Sequence, residues 1–340
     1  DKAVADFDTA IKLDPGNALA YYNRGLTLRN RGDLDRSIAD FEAAIRINPG
    51  QMAALYARGN AYLTKRDFGR AIADLDETIR LNPNFAMAYY DRGVAYGSKG
   101  DTDRAIADFD QALKLNPNDA LALNNRGFAY RVKGDIAKAA ADYEAAIKLD
   151  PKQAVAYFNR GNAYYEQRDF DRALGDLDQA VKLNPNYALA LYNRGLALRE
   201  KGDIDRSIAD FSRVVQLEPK NAPAFNNLGL AYRSKGDVDR ALASFDLAVK
   251  ADQTLALGYN NRGAMLALKG DYDRALPDLD QALKLDANDA RAWQNRGFVW
   301  RAKGDLDRAV ADFDQAIKLN SNSAVVLYNR GNAFYMKKDY

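Results

Sequence analysis

The chain has 340 residues, of which 49 are basic and 47 acidic, giving a formal net charge of +2. This balance disfavours nucleic-acid binding and attachment to a membrane surface, because both need an excess of positive charge. The chain contains no Cys and no His, which excludes disulfides, His- or Cys-ligated zinc, Ser-His-Asp triads and Cys-His dyads within it. No signal peptide and no run of about 20 apolar residues is visible, so we expect no membrane insertion. We also expect no metal and no cofactor.

A 34-residue unit repeats along the chain, and its marker is an Arg-Gly pair such as Arg92-Gly93. The exception at the expected spacing is Leu228-Gly229. A fixed period of this length indicates a solenoid of stacked supersecondary units. We predict one domain over residues 1–340, with a half unit at 1–17, full units starting at 18, 52, 86, 120, 154, 188, 222, 256 and 290, and a half unit at 324–340.

Each unit predicts two helices, as the stretch Ala86–Asp119 illustrates. Tyr89 and Tyr96 share one face of the first helix, because seven residues make two helical turns. Gly100 suits the left-handed position after that helix, and Asp101 suits the N-cap of the second. Asp fills this N-cap position in every unit, at Asp33, Asp67, Asp101, Asp135, Asp169, Asp203, Asp237, Asp271, Asp305 and Asp339.

The pattern resembles the tetratricopeptide repeat, whose signature combines aromatic, Gly and Tyr positions on one helix with Ala, Phe and Pro on the next. The resemblance covers all 340 residues. It implies an all-α, right-handed superhelical solenoid of about ten antiparallel helix pairs, with the first helices lining the concave face. The matching residues in one unit are Tyr89, Arg92, Gly93, Tyr96, Ala105, Phe109 and Pro117.

One departure from the family pattern is an Arg in nine of ten first helices, where Leu is usual. A buried Arg without a partner would be costly. Asp40, on the second helix of the same unit, is a candidate partner for Arg24. Where Leu228 replaces the Arg, Ser244 replaces the Asp. We therefore predict ion pairs within the units, with recognition of a ligand by these arginines as the alternative.

Three recurring positions define the predicted groove face of the first helices. Asn amides can pair with any peptide backbone, aromatic residues are good contact residues, and Arg can pair with acidic side chains. The Asn column resembles the asparagine ladder in the repeat domain of O-linked N-acetylglucosamine transferases. Alternatively, the Asn and aromatic residues hold neighbouring units together and the Arg residues are solvated. The predicted peptide-binding residues are Asn23, Asn125, Asn159, Asn193, Asn227, Asn261, Asn295, Asn329, Tyr22, Tyr56, Tyr90, Phe158, Tyr192, Arg131, Arg199 and Arg233.

We expect a non-catalytic scaffold that binds an extended peptide or partner segment in its concave groove. Two alternatives remain open: a structural solenoid that stacks head to tail, and the substrate-recruiting arm of a larger enzyme. A sequence that starts and stops in mid-unit reads as an excerpt of a longer protein or as a solenoid without end caps. The lack of Cys favours the cytoplasm over the periplasm, and the partner is not identified.

Overall fold

The computed structural model describes residues 2–320 and 322–338, and within them the chain forms 20 α-helices and no strands. One compact unit ends at Glu166 and contains α1 (Lys2–Leu13), α2 (Ala18–Asn30), α3 (Leu34–Ile47), α4 (Met52–Thr64), α5 (Phe68–Leu81), α6 (Ala86–Ser98), α7 (Thr102–Leu115), α8 (Ala120–Val132), α9 (Ile136–Leu149) and α10 (Ala154–Glu166). The other begins at Gln167 and contains α11 (Phe170–Leu183), α12 (Ala188–Glu200), α13 (Ile204–Leu217), α14 (Ala222–Ser234), α15 (Val238–Ala251), α16 (Ala256–Leu268), α17 (Tyr272–Leu285), α18 (Ala290–Ala302), α19 (Leu306–Leu319) and α20 (Ala324–Lys337).

The predicted all-α solenoid of helix pairs is confirmed. We call the even-numbered helices first helices and the odd-numbered ones second helices, and a first helix with the second helix that follows it is a hairpin. The single domain over residues 1–340 stays a prediction, since the chain divides into two compact units. None of the described helices is long and apolar enough to span a bilayer.

The turn inside most hairpins follows from a Gly and an Asp, whereas Arg66 and Arg168 take the place of the Gly after α4 and α10. Gly100 has φ +82°, which Gly adopts without the steric cost that a Cβ brings. The Asp101 carboxylate accepts a hydrogen bond from the backbone N–H of Arg104 at 3.2 Å. The predicted N-caps are confirmed at Asp33, Asp67, Asp101, Asp135, Asp169, Asp203, Asp237, Asp271 and Asp305, whereas Asp339 lies outside the described residues.

The Gly of the Arg-Gly pair lets the two helices of a hairpin approach closely. A Cβ on Gly93 would lie 2.8 Å from Cε1 of Phe109, well inside the optimal separation of two carbon atoms. The Phe109 side chain on α7 is buried, so its ring packs directly on the backbone of α6. A larger residue at position 93 would push the helices apart and leave poorly packed space around the ring.

The predicted ion pairs within hairpins are confirmed wherever the structure shows the two side chains together. Nε and Nη2 of Arg24 donate to the two carboxylate oxygens of Asp40 at 2.8 and 2.6 Å. The hydrogen bond with Asp40 is the main cause that raises the pKa of Arg24. The same pair forms between Arg58 and Asp74, Arg92 and Asp108, Arg126 and Asp142, Arg194 and Asp210, Arg262 and Asp278, and Arg296 and Asp312.

Six of these seven arginines also form an ion pair with the preceding second helix, a contact that sequence reasoning missed. Nη1 of Arg24 donates to Asp8 of α1 at 2.5 Å. The signal was present in the sequence, because Ser212 fills the position of Asp8 ahead of Leu228. Leu228 is buried instead against Phe211. Both carboxylates are therefore replaced where the Arg is replaced.

The first helices form the inner layer of each compact unit. Successive first helices contact one another, as α2 with α4 and α6 with α8 in one unit and α12 with α14 and α16 with α18 in the other. Among the described residues, successive second helices make no comparable contact. The exposed face of the first helices, which we call the inner surface, is therefore where side chains from several hairpins come together.

Candidate functional site

Asparagine side chains of the predicted groove connect neighbouring first helices. Nδ2 of Asn125 donates to the Tyr90 hydroxyl at 2.8 Å, and Nδ2 of Asn227 donates to the Tyr192 hydroxyl at 2.7 Å. Each of these two bonds joins a hairpin to the one before it, so each of these amides uses at least one N–H within the protein. Where an Asn replaces the Tyr, the carbonyl oxygen of that Asn accepts the hydrogen bond instead. Asn159 donates to Asn124 at 3.0 Å, Asn261 to Asn226 at 2.8 Å and Asn295 to Asn260 at 2.8 Å.

The aromatic residues of the predicted groove are half-buried and belong partly to the core. The rings of Tyr22, Tyr90 and Tyr192 lie 6.0, 5.9 and 5.6 Å from the ring of a Phe on the second helix of the same hairpin. The Tyr56 hydroxyl donates to the Asp91 carboxylate at 2.7 Å. Burial raises the pKa of Asp91. These residues therefore offer the inner surface only part of each ring.

The three predicted arginines have different surroundings. Arg131 forms an ion pair with Glu166. Nη1 of Arg199 donates to Oδ1 of Asn227 at 2.7 Å. Arg233 is partly exposed and has no carboxylate partner in the part of the chain that the structure describes. Partial burial, followed by repulsion from neighbouring guanidinium groups, lowers the pKa of Arg233.

In the second compact unit, α12, α14, α16 and α18 surround a cavity of about 560 Å³. Arg199, Arg233 and Arg291 line it together with amide side chains, and we call it the arginine pocket. Asn260 and Gln294, which line it, occupy the position at which many other first helices carry Tyr. The volume exists because these shorter side chains replace an aromatic ring.

In the first compact unit, a smaller cavity of about 350 Å³ lies among α6, α7 and α8. Gly97, Phe109, Phe128 and Val132 line it, and we call it the glycine pocket. Phe128 and Val132 are 45% and 59% exposed, so its rim is apolar. A Cβ on Gly97 would meet only the Ala105 Cβ, at 3.7 Å. The missing side chain of Gly97 therefore leaves the space open.

The structure brings only some of the predicted groove residues into a pocket. Arg199, Arg233, Asn261 and Asn295 line the arginine pocket, and Asn125 lines the glycine pocket. Asn23, Phe158, Asn193 and Asn329 are half-buried, and Asn159 is buried. Sequence reasoning missed Gly97 and Phe128, although Gly97 stands in the column of Arg29, where bulkier residues are common. In the described residues, no group of acidic side chains is arranged to hold a metal ion.

Stacked helix hairpins with N-capped turns and a shared inner surface define a helical-repeat protein. Tetratricopeptide repeat models match residues 1–51, 56–100, 90–154, 158–222 and 194–256, and two related models match 256–289 and 299–338. The chain belongs to the tetratricopeptide repeat family. The fold of this family is generally a non-catalytic scaffold, and its members bind protein or peptide partners. A comparison with curated proteins gives no match.

Solved structures share this fold. A tetratricopeptide repeat protein from Parabacteroides merdae is 22% identical, with a TM-score of 0.55 over 73% of this chain and 98% of that one. The APC/C hetero-tetramer Cut9-Hcn1 has a chain that is 16% identical, with a TM-score of 0.58 over 97% of this chain and 80% of that one. YrrB, described as a TPR protein with an unusual peptide-binding site, is 26% identical, with a TM-score of 0.48 over 55% of this chain and 97% of that one.

Proposed function

We propose that this protein is a non-catalytic scaffold that binds an extended segment of a partner protein along the inner surface of its first helices. The observation that carries the proposal is the presence of a pocket on this surface in each compact unit. One pocket is apolar and the other is lined by arginines and amides. Together they offer a peptide both apolar contacts and hydrogen bonds.

The Asn amides of the predicted groove supply contacts that do not depend on the sequence of the peptide. Asn125 uses one N–H on Tyr90, and an Asn amide has a second N–H and a carbonyl acceptor. Asn125 also lines the glycine pocket, so these atoms lie where a peptide backbone would pass. A large apolar side chain seated in the glycine pocket would contribute about 1.5–3 kcal/mol through burial.

Filling both pockets tests the proposal. A variant with Gly97→Arg and Ala264→Phe introduces residues that the same columns already carry at Arg131 and Phe128. Replacing a helical Gly favours the helix by roughly 1 kcal/mol, so this change supports folding. We expect peptides that wild type selects from a library of disordered segments to bind the variant at least about tenfold more weakly, as fluorescence anisotropy would show.

The matched control places the same two residue types on the exposed side of second helices, as Ala107→Arg and Ala311→Phe. The control should leave the Kd of the selected peptides unchanged. Peptides that bind the pocket-filled variant as tightly as wild type but lose affinity for the control would place the binding site on the outer surface and contradict the proposal.

A second candidate function is head-to-tail self-association. Tyr328 and Tyr335 of α20 are each 68% exposed, and Met336 is 54% exposed. An apolar face of this kind can pack against a helix of another copy, and such a heterologous contact builds open filaments. This candidate predicts a particle mass that rises with protein concentration in light scattering. If the chain instead serves as the recruiting arm of a larger enzyme, the same inner surface would hold the substrate protein.

A further inference from the structure

We propose that the arginine pocket binds carboxylate side chains of an acidic peptide segment. This inference rests on the proposed function and names the chemistry of the partner. It starts from the balance of charge in the pocket, where Arg199, Arg233 and Arg291 converge. Partial burial and the charges of the other two arginines lower the pKa of Arg233, so the three guanidinium groups lie close enough to repel one another.

The carboxylates near the pocket are already engaged. Glu200 lies 3.7 Å from Nη2 of Arg199 and 4.0 Å from Nη2 of Arg168, so two arginines share it. Oδ1 of Asp289 accepts the backbone N–H of Arg291 at 2.9 Å, and Oδ2 accepts from Asn260 at 3.1 Å. Asp289 is thus held as a helix cap, and its Oδ1 also lies 3.6 Å from Nε of Arg291, whose side chain is 74% exposed.

Arg233 is a pocket arginine that has no carboxylate partner among the described residues. Arg131, in the same column, pairs with Glu166, which follows it by 35 residues. At the corresponding distance after Arg233 the chain has Leu268. No described carboxylate forms an ion pair with Arg233. A ligand with anionic oxygens would relieve the repulsion among the three arginines and regain the charge-assisted hydrogen bonds that Arg233 lacks.

The rest of the lining suits a Glu or Asp side chain on a peptide. Leu230 and Leu257 provide apolar contact for its methylene groups, and Gln294 offers an amide N–H. A cavity of about 560 Å³ accommodates more than one such side chain. A planar carboxylate matches the fork of an Arg with two parallel hydrogen bonds. Charge complementarity therefore selects an acidic segment over a neutral or basic one.

The test measures binding of two short fluorescent peptides, one alternating Glu and Ser and the other alternating Gln and Ser, at low salt. We expect wild type to bind the Glu peptide at least about tenfold more tightly than the Gln peptide. The variant with Arg233→Gln and Arg291→Gln should lose this preference. Arg301→Gln is the matched control, since Arg301 shares the column of Arg233 but donates to Asn329 outside the pocket.

Charge reversal gives a second variant, which should change the peptide preference as well as weaken binding of the Glu peptide. Arg233→Glu should reduce binding of the Glu peptide more than Arg233→Gln does, and it should shift the preference toward a peptide alternating Lys and Ser. Circular dichroism of each variant should match wild type, because Arg233 is exposed and makes no ion pair in the described structure.

Three results would overturn the inference. The first is equal binding of the Glu and Gln peptides by wild type. The second is an undiminished preference after Arg233→Gln and Arg291→Gln. The third is a phosphoserine peptide that binds more tightly than the Glu peptide through Arg233, which would assign the pocket to phosphate. If library-selected peptides still lose affinity for the pocket-filled variant, the proposed function survives the failure of this inference.

Discussion

Asp91 places a carboxylate at the position where most first helices carry the Asn of the predicted groove. It accepts a hydrogen bond from the Tyr56 hydroxyl at 2.7 Å, so it keeps the connection between hairpins. Burial nevertheless raises its pKa, which means that the folded protein disfavours the charged form. The hydrogen bonds between neighbouring first helices thus tolerate a charge at this position, at a cost in stability.

We predict that Asp91→Asn stabilises the protein at neutral pH by about 1 kcal/mol. Because the folded pKa lies above the ordinary value of 3.8, the folded state binds the proton more tightly than the unfolded chain does. The wild-type free energy of unfolding therefore falls as the pH rises from the ordinary pKa of the unfolded chain to the higher pKa of the folded state. Urea unfolding at a series of pH values should show the advantage of the Asn variant growing with pH. An advantage that does not change with pH would contradict this explanation.

At the level of secondary structure, the Arg of an Arg-Gly pair can link three helices. Arg126 donates to Asp142 of its own hairpin at 2.8 and 2.6 Å and to Asp110 of the preceding second helix at 2.7 Å. Asp142 is buried, so it depends on the guanidinium for its hydrogen bonds. Around Leu228 the protein uses an apolar alternative, in which the Ser244 hydroxyl donates to the Arg240 carbonyl at 2.8 Å.

We predict that Arg126→Leu alone destabilises the protein by about 3 kcal/mol, because it leaves the buried Asp142 carboxylate unpaired. Adding Asp142→Ser and Asp110→Ser copies the arrangement around Leu228 and should recover at least half of the loss. Urea unfolding midpoints of the single and triple variants would measure this. A triple variant that is no more stable than the single one would show that the arrangement around Leu228 depends on other neighbours.

The sequence predicted the hairpin ion pairs because one exception, Leu228 with Ser244, changed both partners together. It did not predict the contact of Arg24 with Asp8, although the two residues are separated by the same 16 positions as Arg24 and Asp40. A guanidinium has five donors and can serve two carboxylates, but spacing alone does not say which neighbours its fork reaches. That depends on how closely the helices pack.

At the scale of the whole molecule, the repeat predicted the fold well and the binding surface only in part. A strict period identified the helices because most units repeat the same kinds of cap, turn and core residue. The pockets lie where a side chain is absent, at Gly97, or shorter than the Tyr of other units, at Asn260. A search for residues that make contacts does not find such places. The sequence also could not show that groove residues such as Asn227 form hydrogen bonds with one another, in this case with Arg199 and Tyr192.

Binding of partner segments along the inner surface of the first helices can be located by photo-crosslinking with a library-selected peptide. A photoreactive side chain replaces Phe128, Leu230, Ala107 or Leu247 in separate variants. Phe128 and Leu230 line the two pockets, whereas Ala107 and Leu247 are exposed on second helices. We predict peptide adducts from Phe128, Leu230 or both, and none from Ala107 or Leu247. Adducts only from the second-helix positions, or adducts only between copies of this chain, would contradict the account.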